Sequence, residues 1–267
     1  MRVTLNGYAV ADDDLWVYKF FKMAAFSPDM VRQAILLNPK GEELVFEVNS
    51  PGGSVLAGHE MYSVLRSAHG RIRTSAEVQS LAASAASVMM LGCDRIALSP
   101  VAQVMIHLPM VCTEGGVAAH QASIRMLEST RTAILNAYEL RCSGKSNREQ
   151  LEAMVDQESW FPAQEAVAAG LADSILYQDG EEPLTIPSAM TNAVGGGIRA
   201  LANSAGAAPT PAELRARYQQ LVDAGKAPPS PDGCTPNDPV TPAGEASAVS
   251  DDWRRKARLT IEKNRFL

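Results

Sequence analysis

Apolar and polar positions over the first 180 residues alternate between two periods. A period of two marks strands. Leu44, Phe46 and Val48 lie on one face of a strand over 43–48. Further strands are predicted over 2–10, 71–78, 95–98, 103–106 and 171–177. Between them the period lengthens to that of helices. Ser27-Pro28 opens one to about Leu37, with proline suited to the first turn. A second runs over about 55–67, and a buried one of small and apolar residues over 83–92. A long helix spans 117–141. A capping box at Ser146-Asn147-Arg148-Glu149 starts another, and 162–169 forms the last, stopped by Gly170. Strand and helix alternating in this way predict an α/β fold with helices packed on a sheet.

Near residue 180 the pattern ends. Ten of the sixteen prolines follow, among alanine, glycine and serine. That composition buries too little surface to offset chain entropy, so a disordered C-terminal tail is expected. Three regions result: a folded domain over 1–180, a flexible linker over 181–250 and a terminal segment over 251–267. Within the linker, Thr210-Pro211-Ala212-Glu213 is a capping box, predicting a short helix over 211–224 that Gly225 stops. The terminal segment is basic, with Trp253, Ala257 and Ile261 along one helical face.

Composition narrows the function. With 46% hydrophobic residues, the 267-residue chain can build a sizeable core. A net charge of −6 argues against a general nucleic-acid binder. Four cysteines without CxxC spacing read as free thiols, so no metal site and no cofactor is expected. No apolar stretch reaches a membrane-spanning length, and no basic region precedes an apolar run at the N-terminus, so neither membrane anchor nor signal peptide is expected.

The candidate chemistry lies in three short runs. Asn49-Ser50-Pro51-Gly52-Gly53-Ser54 joins a strand to a helix, and paired glycines let backbone N–H groups face a ligand. Ser84 sits in Ala82-Ala83-Ser84-Ala85-Ala86-Ser87, where a helix begins and free N–H groups can hold an oxyanion. His107 ends Met105-Ile106-His107. Alone, Ser84 reads as a buried serine bonded to a helical carbonyl and His107 as a structural histidine. His59, His69 and His120 read as surface or capping residues. Gly144-Lys145-Ser146 resembles the end of a phosphate loop, but Glu139 stands where that motif needs glycine.

In this order and spacing the runs resemble the Clp protease proteolytic-subunit family. Ala57-Gly58, Ala97-Leu98, Glu165-Ala166-Val167 and Gly170-Leu171-Ala172-Asp173 extend the resemblance to roughly residues 3–177. Ser84-Ala85-Ala86-Ser87-Val88 and Glu158-Ser159-Trp160 look like the phage branch, the head maturation (prohead) proteases. The resemblance implies a ClpP/crotonase-like fold of repeated β-β-α units. It implies Ser84 as nucleophile, His107 as general base, and the N–H groups of Gly53 and Ala85 as oxyanion hole. The family's triad acid is aspartate. Here the aligned residue is Glu158, with Asp156 two residues earlier as the substitute. Ser80 stands where the family usually has glycine. The resemblance further implies a homo-oligomer of heptameric rings stacked through the long helix, capsid and scaffold proteins as substrates, and a place in the host cytoplasm or prohead interior. The chain carries no ATP-binding motif of its own, and the resemblance to a phage enzyme acting inside a prohead, where no ATPase is needed, implies ATP-independent cleavage. Two other readings stay open: an inactive scaffold or assembly module, and a crotonase-type acyl-CoA enzyme.

Overall fold

A computed structural model describes residues 1–177 and 209–227. Most of the linker expected over 181–250, and all of the terminal segment over 251–267, lie outside the described residues. Met1–Leu214 forms one compact unit; in the second, Arg215–Leu267, only residues 215–227 are described.

The first unit is a mixed α/β fold, as the residue pattern predicts. Its strands are β1 (Arg2–Ala9), β2 (Ala25–Phe26), β3 (Leu44–Gly53), β4 (Thr74–Ala83), β5 (Arg95–Leu98), β6 (Gln103–Ile106), β7 (Ser159–Pro162) and β8 (Ser174–Ile175). They form one sheet in the order β2-β1-β3-β4-β5-β8, while β6 pairs with β4 and then with β7. Every pairing is parallel except β6 with β7. Parallel strands need crossovers, and the helices supply them. These are α1 (Leu15–Phe20), α2 (Pro28–Leu37), α3 (Val55–Ala68), α4 (Ala85–Met90), α5 (Val117–Arg141), α6 (Arg148–Asp156) and α7 (Ala163–Ala169); α8 (Pro211–Asp223) follows later. Leu44, Phe46 and Val48 are fully buried, as their alternation predicts, and join Met61 and Leu65 of α3 and Met89 and Met90 of α4 in the core.

Several boundaries differ from the pattern. β3 and β4 run on to Gly53 and Ala83, because the glycine turn still pairs with β1 and Ala82 pairs with Ser50. α1, β2 and β7 are too short to set up a period of their own. The box opening α6 is Asn147 with Gln150, one residue later than expected, because Ser146 donates its hydroxyl to the Ala169 carbonyl instead. The Thr210–Glu213 box is present: the Thr210 N–H donates to Glu213 and the Glu213 N–H to the Thr210 hydroxyl.

In β1 the register against β3 slips between Asn6 and Tyr8. Gly7 sits at this bulge with φ +83°, and a Cβ there would lie 1.9 Å from the Ala24 carbonyl oxygen. Gly7→Ala adds both an unfavourable φ and an overlap with backbone. It is expected to lower unfolding stability by about 2 kcal/mol or more, read as a lower urea midpoint at unchanged slope.

Candidate active site

The site is assembled by the pairings of β6. On one edge Ala83 of β4 pairs with Met105. On the other Ile106 pairs with Ser159 of β7. The next positions outward are Ser84, His107 and Glu158, so three residues distant in sequence meet at one end of the sheet.

Ser84 follows β4 and caps α4. Its backbone is sharply turned, with φ 53° and ψ −124°. A non-glycine residue there is strained by about 1–3 kcal/mol, and such strain persists only where surrounding bonds hold it. Here the Ser84 N–H donates to the Met105 carbonyl at 2.9 Å. Its carbonyl accepts the Ser87 hydroxyl at 2.6 Å. Having donated its proton there, the Ser87 oxygen accepts from the Tyr138 phenol at 2.6 Å. Ser87 and Tyr138 are both buried, so this chain links α5 to the backbone of Ser84.

The turn aims the Ser84 side chain at His107, whose Nε2 lies 2.7 Å from Ser84 Oγ. Burial lowers the His107 pKa below 6.5, and the charge of Glu158 pulls it partly back. The imidazole is therefore neutral at pH 7, able to accept a proton. Glu158 has φ 54° and accepts the Trp160 indole N–H at 3.4 Å. It acts on His107 through space, for no hydrogen bond joins the two among the described residues. Asp156 is not beside the pair: Arg131 holds both its carboxylate oxygens at 2.9 Å.

The two glycines of the β3 turn meet different neighbours. A Cβ on Gly52 would lie 2.7 Å from the Ser84 Cβ and 3.1 Å from the Ala85 nitrogen. A Cβ on Gly53 would lie 2.2 Å from the Ala9 carbonyl oxygen. Gly52 thus lets the turn close on the serine, while Gly53 seats it on β1. Ala85 is the first residue of α4, where a helix N–H has no partner within the helix. The turn, the Ala85 N–H, Ser84 and His107 therefore share one cleft. The arrangement can deprotonate a hydroxyl and hold a developing oxyanion.

The other sequence signals resolve separately. His59, expected at the surface, instead lines a cavity beside Ser84, because Gly58 lets α3 abut α4. His69 bonds Asp94 at the far end of β4, and His120 is exposed on α5. Ser80 is exposed. Lys145 donates to the Val167 carbonyl at 2.6 Å and Ser146 to that of Ala169, so both fasten α7 rather than cradle a phosphate. Cys93 and Cys142 are buried, which pushes their thiols up to about 12 and about 11; Cys112 is exposed. No group of three or more metal-ligating side chains occurs among the described residues.

The family model for Clp protease matches residues 23–179. The ATP-dependent Clp protease proteolytic subunit 1 of Chlamydia trachomatis is 36% identical over 149 residues, covering 53% of this chain and 73% of that protein. Subunit 1 of Chlamydia muridarum is 35% identical over 148 residues, covering 53% and 73%. Subunit 2 of Thermobifida fusca is 31% identical over 156 residues, covering 55% and 72%.

The Ser84–Ser87–Tyr138 chain makes a measurable contribution. Tyr138→Phe keeps the ring but leaves the buried Ser87 oxygen without its donor. A loss of about 1 kcal/mol is expected, seen as a drop of about 2–4 °C in melting temperature.

Proposed function

The chain belongs to the Clp protease family, a family of serine peptidases, and from that premise we propose that it is an ATP-independent serine endopeptidase with Ser84 as nucleophile, His107 as general base and Glu158 as triad acid. The observation that carries the reading is the 2.7 Å contact between Ser84 Oγ and His107 Nε2. Residue types alone do not give that contact; a structural serine and a structural histidine have no reason to meet at hydrogen-bond distance.

In the reaction, Ser84 Oγ attacks the peptide carbonyl while His107 Nε2 takes its proton. The N–H groups of Gly53 and Ala85 hold the oxyanion. His107 then protonates the leaving amine, and water, deprotonated by the same nitrogen, releases the acyl group from Ser84. Glu158 favours the imidazolium through its charge. Catalytic hydrogen bonds commonly tighten only with substrate, so a charge that acts on His107 through space fits this role. Asp156, already held by Arg131, is not the acid in this reading.

The physiological substrates in this reading are phage capsid and scaffold proteins, cleaved during head maturation inside the prohead. Support comes from the resemblance of Ser84-Ala85-Ala86-Ser87-Val88 and Glu158-Ser159-Trp160 to the phage branch. The curated relatives are named as ATP-dependent. Independence here rests on the phage-branch resemblance, since an enzyme enclosed in a prohead needs no partner ATPase. A homo-oligomer is supported by α5, which buries only Ile134, Leu135 and Tyr138 and leaves Val117, Ile124 and Met126 exposed along its first half. An acyl-CoA hydratase would have no use for an activated serine, and a decayed scaffold no reason to hold a strained Ser84 against a neutral histidine.

Ser84→Ala is expected to remove fluorophosphonate labelling, to lower peptide hydrolysis by about 10³-fold or more, and to leave the assembly intact. Processing of coexpressed capsid and scaffold proteins should stop with it; unchanged processing would sink the assignment. The pH profile gives an independent check. His107 must be neutral to act, and burial lowers its pKa, so kcat/KM should fall only as pH drops below 6.5. Glu158→Gln removes the charge that raises this pKa, so the acid limb should move to still lower pH while the plateau falls.

A further inference from the structure

The cavity beside Ser84 has a composition that the peptidase reading does not require. It is lined by Val55, His59, Ala85, Val88, Ile134 and Tyr138, with Ser84 and His107 also bordering it. A carbonyl attacked by Ser84 carries its own side chain beside the hydroxyl, so this cavity receives the residue on the acyl side of the cleaved bond, P1.

Two features set what fits. The cavity is small, about 10 Å³, room for about one water-sized group. The polar equipment is unusual. His59 Nε2 is shut off from solvent and has no hydrogen-bond partner among the described residues. A buried polar atom left unpaired costs free energy, and a substrate group that pairs with it recovers that cost. Burial lowers the His59 pKa, so the ring is neutral. In either tautomer a neutral imidazole nitrogen pairs with a hydroxyl or an amide, each of which can both donate and accept. The Tyr138 phenol does not compete, since it is engaged with Ser87. Val55, Ala85, Val88 and Ile134 make the remaining wall apolar and unsuited to a charged group.

Building on the peptidase reading, we propose that His59 is a specificity-determining residue and that the enzyme cleaves after the shortest hydroxyl-bearing P1 side chains, serine and threonine. The hydroxyl, the one water-sized group the cavity admits, pairs with His59 Nε2 while the short stem lies against the apolar wall. A methyl in the same position leaves the nitrogen unpaired and buried deeper. Long apolar or aromatic side chains exceed the space.

The test uses the full-length assembled protein and fluorogenic peptides that differ only at P1, as matched pairs: threonine against valine and serine against alanine. In wild type, kcat/KM is expected to favour the polar member of each pair by about tenfold. His59→Leu should bring the ratios to one or below, and His59→Gln, which keeps a hydrogen-bonding group, should retain the preference. The readout is a ratio within one preparation, so a general loss of activity in a variant does not distort it. A wild-type preference for valine or alanine overturns the proposal, as does a threonine-to-valine ratio unmoved by His59→Leu. If His59→Leu does not fold, the wild-type ratios decide alone. Fluorophosphonate labelling of wild type separates the two levels. Label at Ser84 with the wrong P1 preference defeats only the pocket assignment, whereas absence of label and of all hydrolysis defeats the peptidase reading and the pocket assignment with it.

Discussion

One four-residue strand, β6, is hydrogen-bonded along both edges, parallel to β4 and antiparallel to β7. Because a strand pairs residue with residue, these two ladders set where three chain positions separated by tens of residues come to rest. Ser84, His107 and Glu158 each stand one step outside a paired residue. A slip of one residue in either ladder would turn side chains to the opposite face and separate the group. Ile106 and Val104 point into the core and are fully buried, so the register is also held by packing. The cleft is therefore a property of the sheet's end rather than of a flexible loop.

Strain at Ser84 is the second element, and it is local. The positive φ is what turns the chain from strand to helix within one residue and projects the hydroxyl outward. The bonds that hold it come from two directions: Met105 of β6 takes the N–H, and Ser87 takes the carbonyl. Tyr138 completes the second path from α5. The first half of α5 stands clear of the domain, while its last turns pack on α4 through Ile134, Leu135 and Tyr138. One helix thus carries both exposed apolar residues and a group bonded to the backbone support of Ser84.

Much of this was legible from residue pattern, for identifiable reasons. β5, β6 and α5 fall at 95–98, 103–106 and 117–141, as the residue pattern predicts; Ile96, Leu98, Val104 and Ile106 of the two strands bury, whereas α5 keeps its full length while burying only Ile134, Leu135 and Tyr138. The Ser84–His107 pair was legible through order and spacing, since both lie next to elements the pattern finds. β7 was not, because four residues ending in proline carry no period; with it went the physical reason that Glu158 faces His107. His59 was misread for a different reason. Its place is decided by Gly58, whose missing side chain admits Ala85 of the next helix, and no local pattern encodes a contact between separate helices. The capping box of α6 moved by one residue because the Ser146 hydroxyl found a tertiary acceptor, Ala169, in competition with the helix end.

The glycine turn of β3 has a consequence for how such a cleft can diversify. Gly52 has no room for a side chain against Ser84, and Gly53 has none against β1. The wall that the turn contributes is bare backbone and admits no larger residue without displacing Ser84 or the sheet. On the proposed reading, a lineage descending from this protein could alter what the enzyme accepts only from the walls that helices supply, at positions such as Val55, His59 and Ile134. The cleft has one frozen side and one variable side, and selection for a new diet would leave its marks on the helices alone.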